Sequence, residues 1–195
     1  MARLHTSFVL GYHGCDRSVG ERILSGEIAP AQSDRDYDWL GPGVYFWESD
    51  PQRAFEWAAE KKARGDYDAP FMVGAAIDLG NCLDLMARDN LDLLARAHAS
   101  LKDMHERDEK LDPMPENRRG PDKLLRYLDC AVIRHLHYVM EDAGLPRFDT
   151  VRGLFSEGEL AYPGSGFHRK THIQIAVRNT DSIKGFFRVP PTAFE

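Results

Sequence analysis

The stretch WLGPGVYFW, residues 39–47, joins a Gly-Pro-Gly turn directly to a run of β-branched and aromatic residues. The turn residues interrupt regular structure, whereas Val44 to Trp47 favour a strand. Just downstream, Asp50 and Pro51 are typical of a helix start, with the aspartate as N-cap and the proline at the first helical position. The stretch therefore predicts a turn, a strand and a helix in immediate succession.

Other strands are predicted by short apolar runs that end on glycine or polar residues. The run FMVGAAIDL, residues 71–79, is so uniformly apolar that we expect it inside the sheet, paired on both edges. Apart from it, the predicted strands cover residues 7–14, 148–155, 171–177 and 185–189. Residues 19–26 predict a short helix that ends at Gly26, and residues 29–38 predict a polar loop.

In the middle of the chain, residues 84–146, hydrophobic residues recur with the period of an α-helix. Apolar residues recur every three or four positions over 91–105 and 124–143, which predicts two amphipathic helices. The segment 112–121 between them, DPMPENRRGP, is rich in helix breakers. We interpret 84–146 as a helical insertion into one domain, residues 1–195, whose sheet core comprises 1–83 and 147–195. The helices are expected to pack on the sheet, with acceptor recognition, partner binding or an autoinhibitory lid as alternatives.

Composition places the chain among ordinary globular proteins. Its 195 residues are 43% hydrophobic and carry a net charge of -6, which argues against general nucleic-acid binding through a basic surface. Cys15, Cys82 and Cys130 are an odd number without CxxC spacing, so we expect neither a disulfide framework nor a zinc cluster. We predict no signal peptide and no membrane span, and therefore a cytoplasmic location, with a secreted effector as the alternative.

Common catalytic signatures are not found in the sequence. It contains no GxSxG, no P-loop and no GxGxxG after a strand, so the usual hydrolase and nucleotide-binding motifs have no support. His168 and His172 have a spacing that binds metal on a helix, yet they lie where a glycine-rich loop enters a strand. We therefore predict no metal site.

Three motifs together say more than any one of them. Tyr12-His13-Gly14 ends a predicted strand, Gly41-Pro-Gly43-Val-Tyr45-Phe46 begins the next, and Gln174 lies in a late apolar strand eight residues before Ser182-Ile183. This order resembles the ADP-ribosyltransferase superfamily, in its poly(ADP-ribose) polymerase and diphtheria-toxin-like branch with a His-Tyr-Glu triad. The resemblance covers residues 7–83 and 148–188 and leaves the helical section unmatched. It implies an α+β fold with a split, mixed or antiparallel β-sheet core, flanking helices and a helical insertion.

The resemblance also implies NAD as co-substrate, no metal, and a set of site residues. His13 would hydrogen-bond ribose hydroxyls, the backbone of Gly14 would bind the nicotinamide carboxamide, and Tyr45 would stack on the nicotinamide ring. Phe55 or Trp57, on the following helix, would supply a second stacking ring. Tyr12 and Gly43 belong to the same NAD-binding motifs. For Phe46 we prefer simple packing within the sheet.

Gln174 departs from the family pattern, which has glutamate at this position. A neutral glutamine keeps the hydrogen bonding to ribose and loses the negative charge. Glu157 or Glu159, on the preceding loop, could supply that charge. The sequence thus favours transfer of a single ADP-ribose to a macromolecular acceptor, protein or nucleic acid. The alternatives are an NAD glycohydrolase and a catalytically silent NAD- or ADP-ribose-binding module. The resemblance also suggests a toxin or phage-defence effector, with an antitoxin or regulatory partner and no membrane partner.

Overall fold

The computed structural model describes residues 8–108, 110–118 and 125–190. Within these ranges the chain forms seven strands and four α-helices. In chain order they are β1 (Phe8–Asp16), α1 (Arg17–Leu24), β2 (Val44–Glu48), α2 (Pro51–Ala63), β3 (Pro70–Asp78), β4 (Cys82–Asp84), α3 (Arg88–Arg107), α4 (Tyr127–Asp142), β5 (Thr150–Phe155), β6 (His172–Val177) and β7 (Ile183–Arg188). None of the described helices is long and apolar enough to cross a membrane.

The strands form one mixed sheet in the order β4-β5-β6-β2-β1-β3-β7. The α+β class is therefore confirmed, and β3 lies inside the sheet as its apolar sequence predicts. The helix predicted from Asp50 and Pro51 is also confirmed, because the Asp50 carboxylate accepts a hydrogen bond from the backbone N–H of Arg53 (2.9 Å). Ser7, the first residue of one predicted strand, and residues 119–124 of the linker and second predicted helix lie outside the described residues.

The predicted boundary of the helical section needs one correction. Residue 84 belongs to strand β4, which the sequence analysis missed because three residues are too few to show a period. Strand β4 pairs in parallel with β5, and α3 and α4 lie in the connection between them. Parallel neighbours cannot be joined by a tight hairpin, so this helical section doubles as the crossover that such a pair requires.

The two faces of the sheet are covered differently. Directly paired residues share a face, and the pairing of Trp47 with both Tyr12 and Gln174 places these three side chains on one face. Helices α3 and α4 cover part of this face through Leu101 and Ile133, and α2 covers another part through Ala54. The expectation that the amphipathic helices pack on the sheet is confirmed.

The opposite face forms a second core made of strand residues and their connections. Its buried members are Val44, Phe46, Ala75, Ile77, Leu79, Ile175 and Val177. Most of them come from strands β2, β3 and β6. The prediction that Phe46 serves packing is confirmed, since its side chain is fully buried in this core.

Strands β1 and β2 separate part way along their length. Strand β1 pairs with β3 along all nine of its residues, from Phe8 to Asp16. It pairs with β2 only at Gly11 and Tyr12, which face Glu48 and Trp47. Beyond Tyr12 the two strands diverge, and the sequence motif around His13 lies at this divergence.

A buried histidine on α4 makes the stability of the fold depend on pH. Burial lowers the pKa of His137 to about 3, and its Nε2 has no hydrogen-bond partner among the residues that the structure describes. The unfolded chain takes up a proton below the ordinary pKa of 6.5, whereas the folded chain does not, so stability is lost as the pH falls through 6.5.

Between pH 7 and pH 5 we expect His137 to cost about 2 kcal/mol of unfolding free energy. Urea denaturation of the wild type and of His137→Leu at both pH values measures this loss, which the variant should lack. Val139→Ala, at an exposed position of the same helix, is the control and should keep the wild-type pH dependence. Equal pH dependence in wild type and His137→Leu would contradict the prediction.

Candidate active site

His13 bridges the two diverging strands. Its Nδ1 donates a hydrogen bond to the backbone carbonyl of Tyr45 (2.9 Å). Burial lowers the pKa of His13, and the hydrogen bond to Tyr45 opposes this shift only in part, so the ring is neutral at pH 7. Because Nδ1 holds the only proton of a neutral ring bonded to a carbonyl, Nε2 is a hydrogen-bond acceptor.

Tyr45 is held against the turn that precedes its own strand. Its hydroxyl donates to the carbonyl of Gly41 (2.8 Å) and accepts from the N–H of Leu40 (3.1 Å). Burial raises the pKa of Tyr45 well above its ordinary value, so the phenol stays protonated at any physiological pH. The Gly-Pro-Gly turn is thus fixed in place by the aromatic residue that follows it.

Gln174 is buried on the helix-covered face and is oriented by Trp39. The indole Nε1–H of Trp39 donates to the side-chain oxygen of Gln174 (2.8 Å). Since an indole N–H can only donate, this bond fixes which end of the amide faces Trp39. The Trp39 ring also contacts the rings of Phe155 and His172. A substrate that approached the oxygen of Gln174 would have to displace Trp39.

A charged pair lies beside Gln174. Arg53, from the first turn of α2, donates through Nη2 to both carboxylate oxygens of Glu157 (3.1 and 3.3 Å). The Glu157 carboxylate is 3.9 Å from Nδ1 of His172, and His172 is two residues before Gln174 on the same face of β6. Glu157 is therefore the acid of the 156–171 loop that lies close to His172, the neighbour of Gln174 on that face of β6. Glu159 is exposed, and only its backbone carbonyl has a described hydrogen bond, to the N–H of Arg169.

Several buried polar atoms of this cluster have no hydrogen-bond partner. They are Nε1 of Trp47, Nε and Nη1 of Arg53, and Nε2 of His172, and they account for four of the five such atoms found in the described residues. A buried group without a partner costs about 1–3 kcal/mol. Nη1 of Arg53 is the least isolated of the four, because it is 3.7 Å from the carboxylate of Glu60. Buried polar groups without a hydrogen bond are rare in folded proteins.

The remaining predicted residues lie around the same divergence of strands. Gly14 lies directly beneath α2, since a Cβ there would be 2.2 Å from the carbonyl oxygen of Ala54. Trp57 packs on Trp47 with ring centroids 5.9 Å apart, whereas Phe55 is 37% exposed. Of the two candidates for a second stacking ring, Trp57 is thus the one inside the cluster.

Tyr12 and Gly43 occupy structural positions near the site. The ring of Tyr12 packs edge-on to Phe187 of β7, 6.2 Å between centroids, and against the core under α2. Gly43 exchanges two backbone hydrogen bonds with Ser33, and a Cβ on it would be 2.9 Å from the carbonyl of Val177. Gly43 therefore lets the loop before β2 approach strand β6 closely.

Four residues of this cluster were missed by the sequence analysis as site residues: Trp39, Trp47, Arg53 and His172. Trp39 and Trp47 stood at the two ends of the quoted stretch, where aromatic residues indicate packing as readily as binding. Arg53 could have been noticed because it is a basic residue in the first turn of a helix, where the helix dipole disfavours positive charge. No periodicity links Arg53 to Glu157, which is 104 residues away in sequence.

The loop that carries Trp39 is fastened to helix α4. Asp34 pairs with Arg134 (2.5 Å), and the rings of Tyr37 and Tyr127 pack edge-on, 5.9 Å apart. The guanidinium of Arg126 lies over the Trp39 ring at 5.5 Å. The helical section, which the family resemblance leaves unmatched, thus contacts the residue that covers Gln174.

Comparison with known proteins does not assign this chain to a family. No family model matches the chain, and no solved structure matches it significantly. A 47-residue stretch is 49% identical to an uncharacterized protein of Methanocaldococcus jannaschii, a match that covers 24% of this chain and 21% of that protein. The chain therefore matches about a fifth of that relative's length, and this likeness assigns no activity to either protein.

Proposed function

We propose that this protein is a mono-ADP-ribosyltransferase, which cleaves NAD, releases nicotinamide and transfers one ADP-ribose to a macromolecular acceptor. The observation that carries the proposal is the position of His13. It is held between two diverging strands through its Nδ1, which leaves Nε2 as a neutral acceptor for a hydroxyl group. That is the role the family resemblance gives this histidine toward ribose.

His13 and Gln174 lie on strands β1 and β6, which are about 10 Å apart because β2 lies between them. Gln174 and Tyr12 are both paired with Trp47 and share one face of the sheet, so the adjacent His13 faces the other side, where its ring is 5.7 Å from that of Phe46. The proposal therefore rests on His13 at the divergence of β1 and β2. Cleavage of NAD develops positive charge on the ribose, and the catalytic task is to stabilise that charge.

Glu157 supports transfer despite the neutral glutamine. Its carboxylate is 3.9 Å from Nδ1 of His172, which is two residues before Gln174 on β6. Arg53 pairs with Glu157 and fixes its position. In this proposal Gln174 hydrogen-bonds the ribose and Glu157 supplies the negative charge, to the developing cation or to the incoming acceptor.

The test is incubation of the purified chain with NAD labelled in the adenylate, with and without cell lysate. Free nicotinamide and labelled macromolecules are both measured. His13→Asn keeps a donor for the Tyr45 carbonyl and loses the Nε2 acceptor, so we expect nicotinamide release to fall about 100-fold while the fold persists. His135→Ala, on α4 where the ring hydrogen-bonds Ser100 of α3, is the matched control and should release nicotinamide like the wild type.

The possible outcomes separate three functions. Nicotinamide release with a labelled acceptor supports the transferase. Nicotinamide release without any labelled acceptor identifies a glycohydrolase. Nucleotide binding by calorimetry without turnover identifies a binding module, and His13→Asn acting like the wild type removes the basis of the proposal.

A further inference from the structure

Part of the connection between β5 and β6, residues 157–170, is an ordered hairpin. Its two arms are joined by backbone hydrogen bonds. The N–H of Lys170 donates to the carbonyl of Glu157 (2.9 Å), and nearer the tip the N–H of Ala161 donates to the carbonyl of Phe167 (2.8 Å). The hairpin therefore presents its tip on a backbone of defined shape.

The tip has the features of a type II turn. Pro163 and Gly164 occupy its two central positions, φ is 78° at the glycine, and the N–H of Ser165 donates to the carbonyl of Tyr162 (3.0 Å). The hydroxyl of Ser165 also accepts a hydrogen bond from the N–H of Phe167 (2.9 Å). The turn thus fixes the backbone of both aromatic residues.

The side chains that this hairpin carries are exposed and apolar. Tyr162 is 58% exposed and Leu160 is 43% exposed. Phe167, at 72%, is the most exposed large hydrophobic residue in the part of the chain that the structure describes. Exposed apolar residues grouped in one place, instead of scattered singly, are typical of an interaction surface.

The surroundings of the hairpin are positively charged, unlike the chain as a whole. An ion pair between Arg53 and Glu157 (3.1 Å) joins the hairpin to α2. Together residues 53–64 and 157–170 contain six basic and four acidic residues, a charge of +2, whereas the whole chain has a net charge of -6. A local positive charge on an acidic protein attracts an anionic partner.

Arg169 places a cation next to the aromatic tip. Its Nη2 donates to the carbonyl of Ala161 (3.2 Å), the residue before Tyr162. A guanidinium has five N–H donors, and this contact uses one of them. The planar fork of donors matches the oxygens of a phosphate. Aromatic rings and a guanidinium thus lie side by side on one exposed turn.

We propose that the tip of the hairpin binds single-stranded nucleic acid, with unpaired bases stacked on Tyr162 and Phe167 and a phosphate bound by Arg169. Every base has a face that stacks on an aromatic ring, and the positive surroundings attract the sugar-phosphate backbone. A neutral protein partner would cover the rings without using this charge. The inference concerns a surface outside the role given to His13, so it goes beyond the proposed function and does not rest on it.

The experiment measures the fluorescence anisotropy of labelled oligo(dT) and oligo(U), each about 12 nucleotides long, titrated with the full chain at low salt. We expect both strands to bind, and the two affinities show whether DNA or RNA is preferred. The same oligo(dT) annealed to oligo(dA) should bind at least about tenfold more weakly, because paired bases cannot stack on the tip.

Aromatic variants test the stacking. Phe167→Ala and Tyr162→Ala should each weaken single-strand binding about tenfold. Tyr138→Ala is the matched control, because Tyr138 is a tyrosine on α4 that is 67% exposed and lies outside the hairpin. It should bind like the wild type. Thermal melting of each variant confirms that the fold persists.

Charge variants test the electrostatic part in both directions. Arg169→Gln should weaken binding and reduce the slope of log K against log salt by about 0.7, the contribution of one phosphate contact on a single strand. Glu159→Gln removes an exposed negative charge from the hairpin and should tighten binding about twofold. Arg107→Gln, at an exposed arginine of α3, is the control for charge and should leave the slope unchanged.

Three results would overturn the proposal: neither single strand binds, the duplex binds as tightly as the single strand, or Phe167→Ala binds like the wild type. Sedimentation tests the alternative of a second copy on the same patch. Self-association that Phe167→Ala abolishes, with oligonucleotide binding unchanged, would make the tip an interface between copies. None of these measurements involves cleavage of NAD, so the proposed function stands or fails separately.

Discussion

Gly14→Ala is expected to destabilise the fold by about 3 kcal/mol and, if the proposed function holds, to abolish NAD binding with it. A Cβ at this position would lie 2.2 Å from the carbonyl oxygen of Ala54 and 3.3 Å from the Trp57 ring. The first contact is with the backbone of α2, which cannot rotate away as a side chain could. The helix would have to move off β1 and would carry Arg53 with it.

Urea denaturation and NAD binding by calorimetry measure the two effects of this substitution. Gly185→Ala on strand β7 is the control, because a Cβ there meets no atom within 4 Å. We expect this control to change stability by less than about 1 kcal/mol and to leave the NAD binding of the proposed function as it is in the wild type. If Gly14→Ala were as stable as the wild type, the close contact between β1 and the backbone of α2 would be wrong.

Arg152→Met is expected to cost about 3 kcal/mol of unfolding free energy. Arg152 donates through Nε and Nη2 to the two carboxylate oxygens of Glu48 (2.5 and 2.7 Å) and through Nη1 to Asp84 (2.9 Å). The side chains of Arg152 and Glu48 are 17% and 12% exposed, so solvent screens this pair only weakly. Removing the guanidinium leaves two carboxylates near each other with little water to solvate them.

Urea denaturation checks this expectation against a surface pair of the same kind. Arg22→Met breaks the pair with Glu27, whose side chain is 60% exposed, and should cost less than about 1 kcal/mol. Adding Glu48→Gln to Arg152→Met should recover part of the loss, because it removes one of the two stranded charges. A loss in Arg152→Met no greater than in Arg22→Met would show that the buried pair contributes nothing to stability.

The Arg152 pairs also explain why β4 could not be predicted. Strand β4 has three residues, and its place beside β5 rests on the parallel pairing from Cys82 to Asp84 and on the Arg152–Asp84 ion pair. Both depend on residues 68 positions apart in sequence. Neither leaves a local pattern of hydrophobicity, which is what sequence reading detects.

Elements with a strong local pattern were predicted well. Strands β2 and β3 and the start of α2 follow from aromatic and apolar runs and from the Asp50-Pro51 cap. The alternation of side chains in β6 places Gln174 and Ile175 on opposite faces, where Gln174 bonds Trp39 and Ile175 lies in the core that contains Phe46. Both the alternation of side chains along a strand and the cap of a helix depend only on residues close together in sequence, so they can be predicted from the sequence alone.

The sequence by itself determined the class of fold, most of the strands and the positions of His13, Tyr45 and Gln174 along them. Only the tertiary structure decided which side chains surround Gln174: Trp39 from a loop, Arg53 from α2, and Glu157 with His172 from the end of the chain. The physical reason is that burial and ion pairing join residues distant in sequence, whose desolvation is settled only when the sheet and helices close around them. On the helix-covered face, packing therefore surrounds Gln174 with an ion pair and with unsatisfied donors that no sequence motif contains.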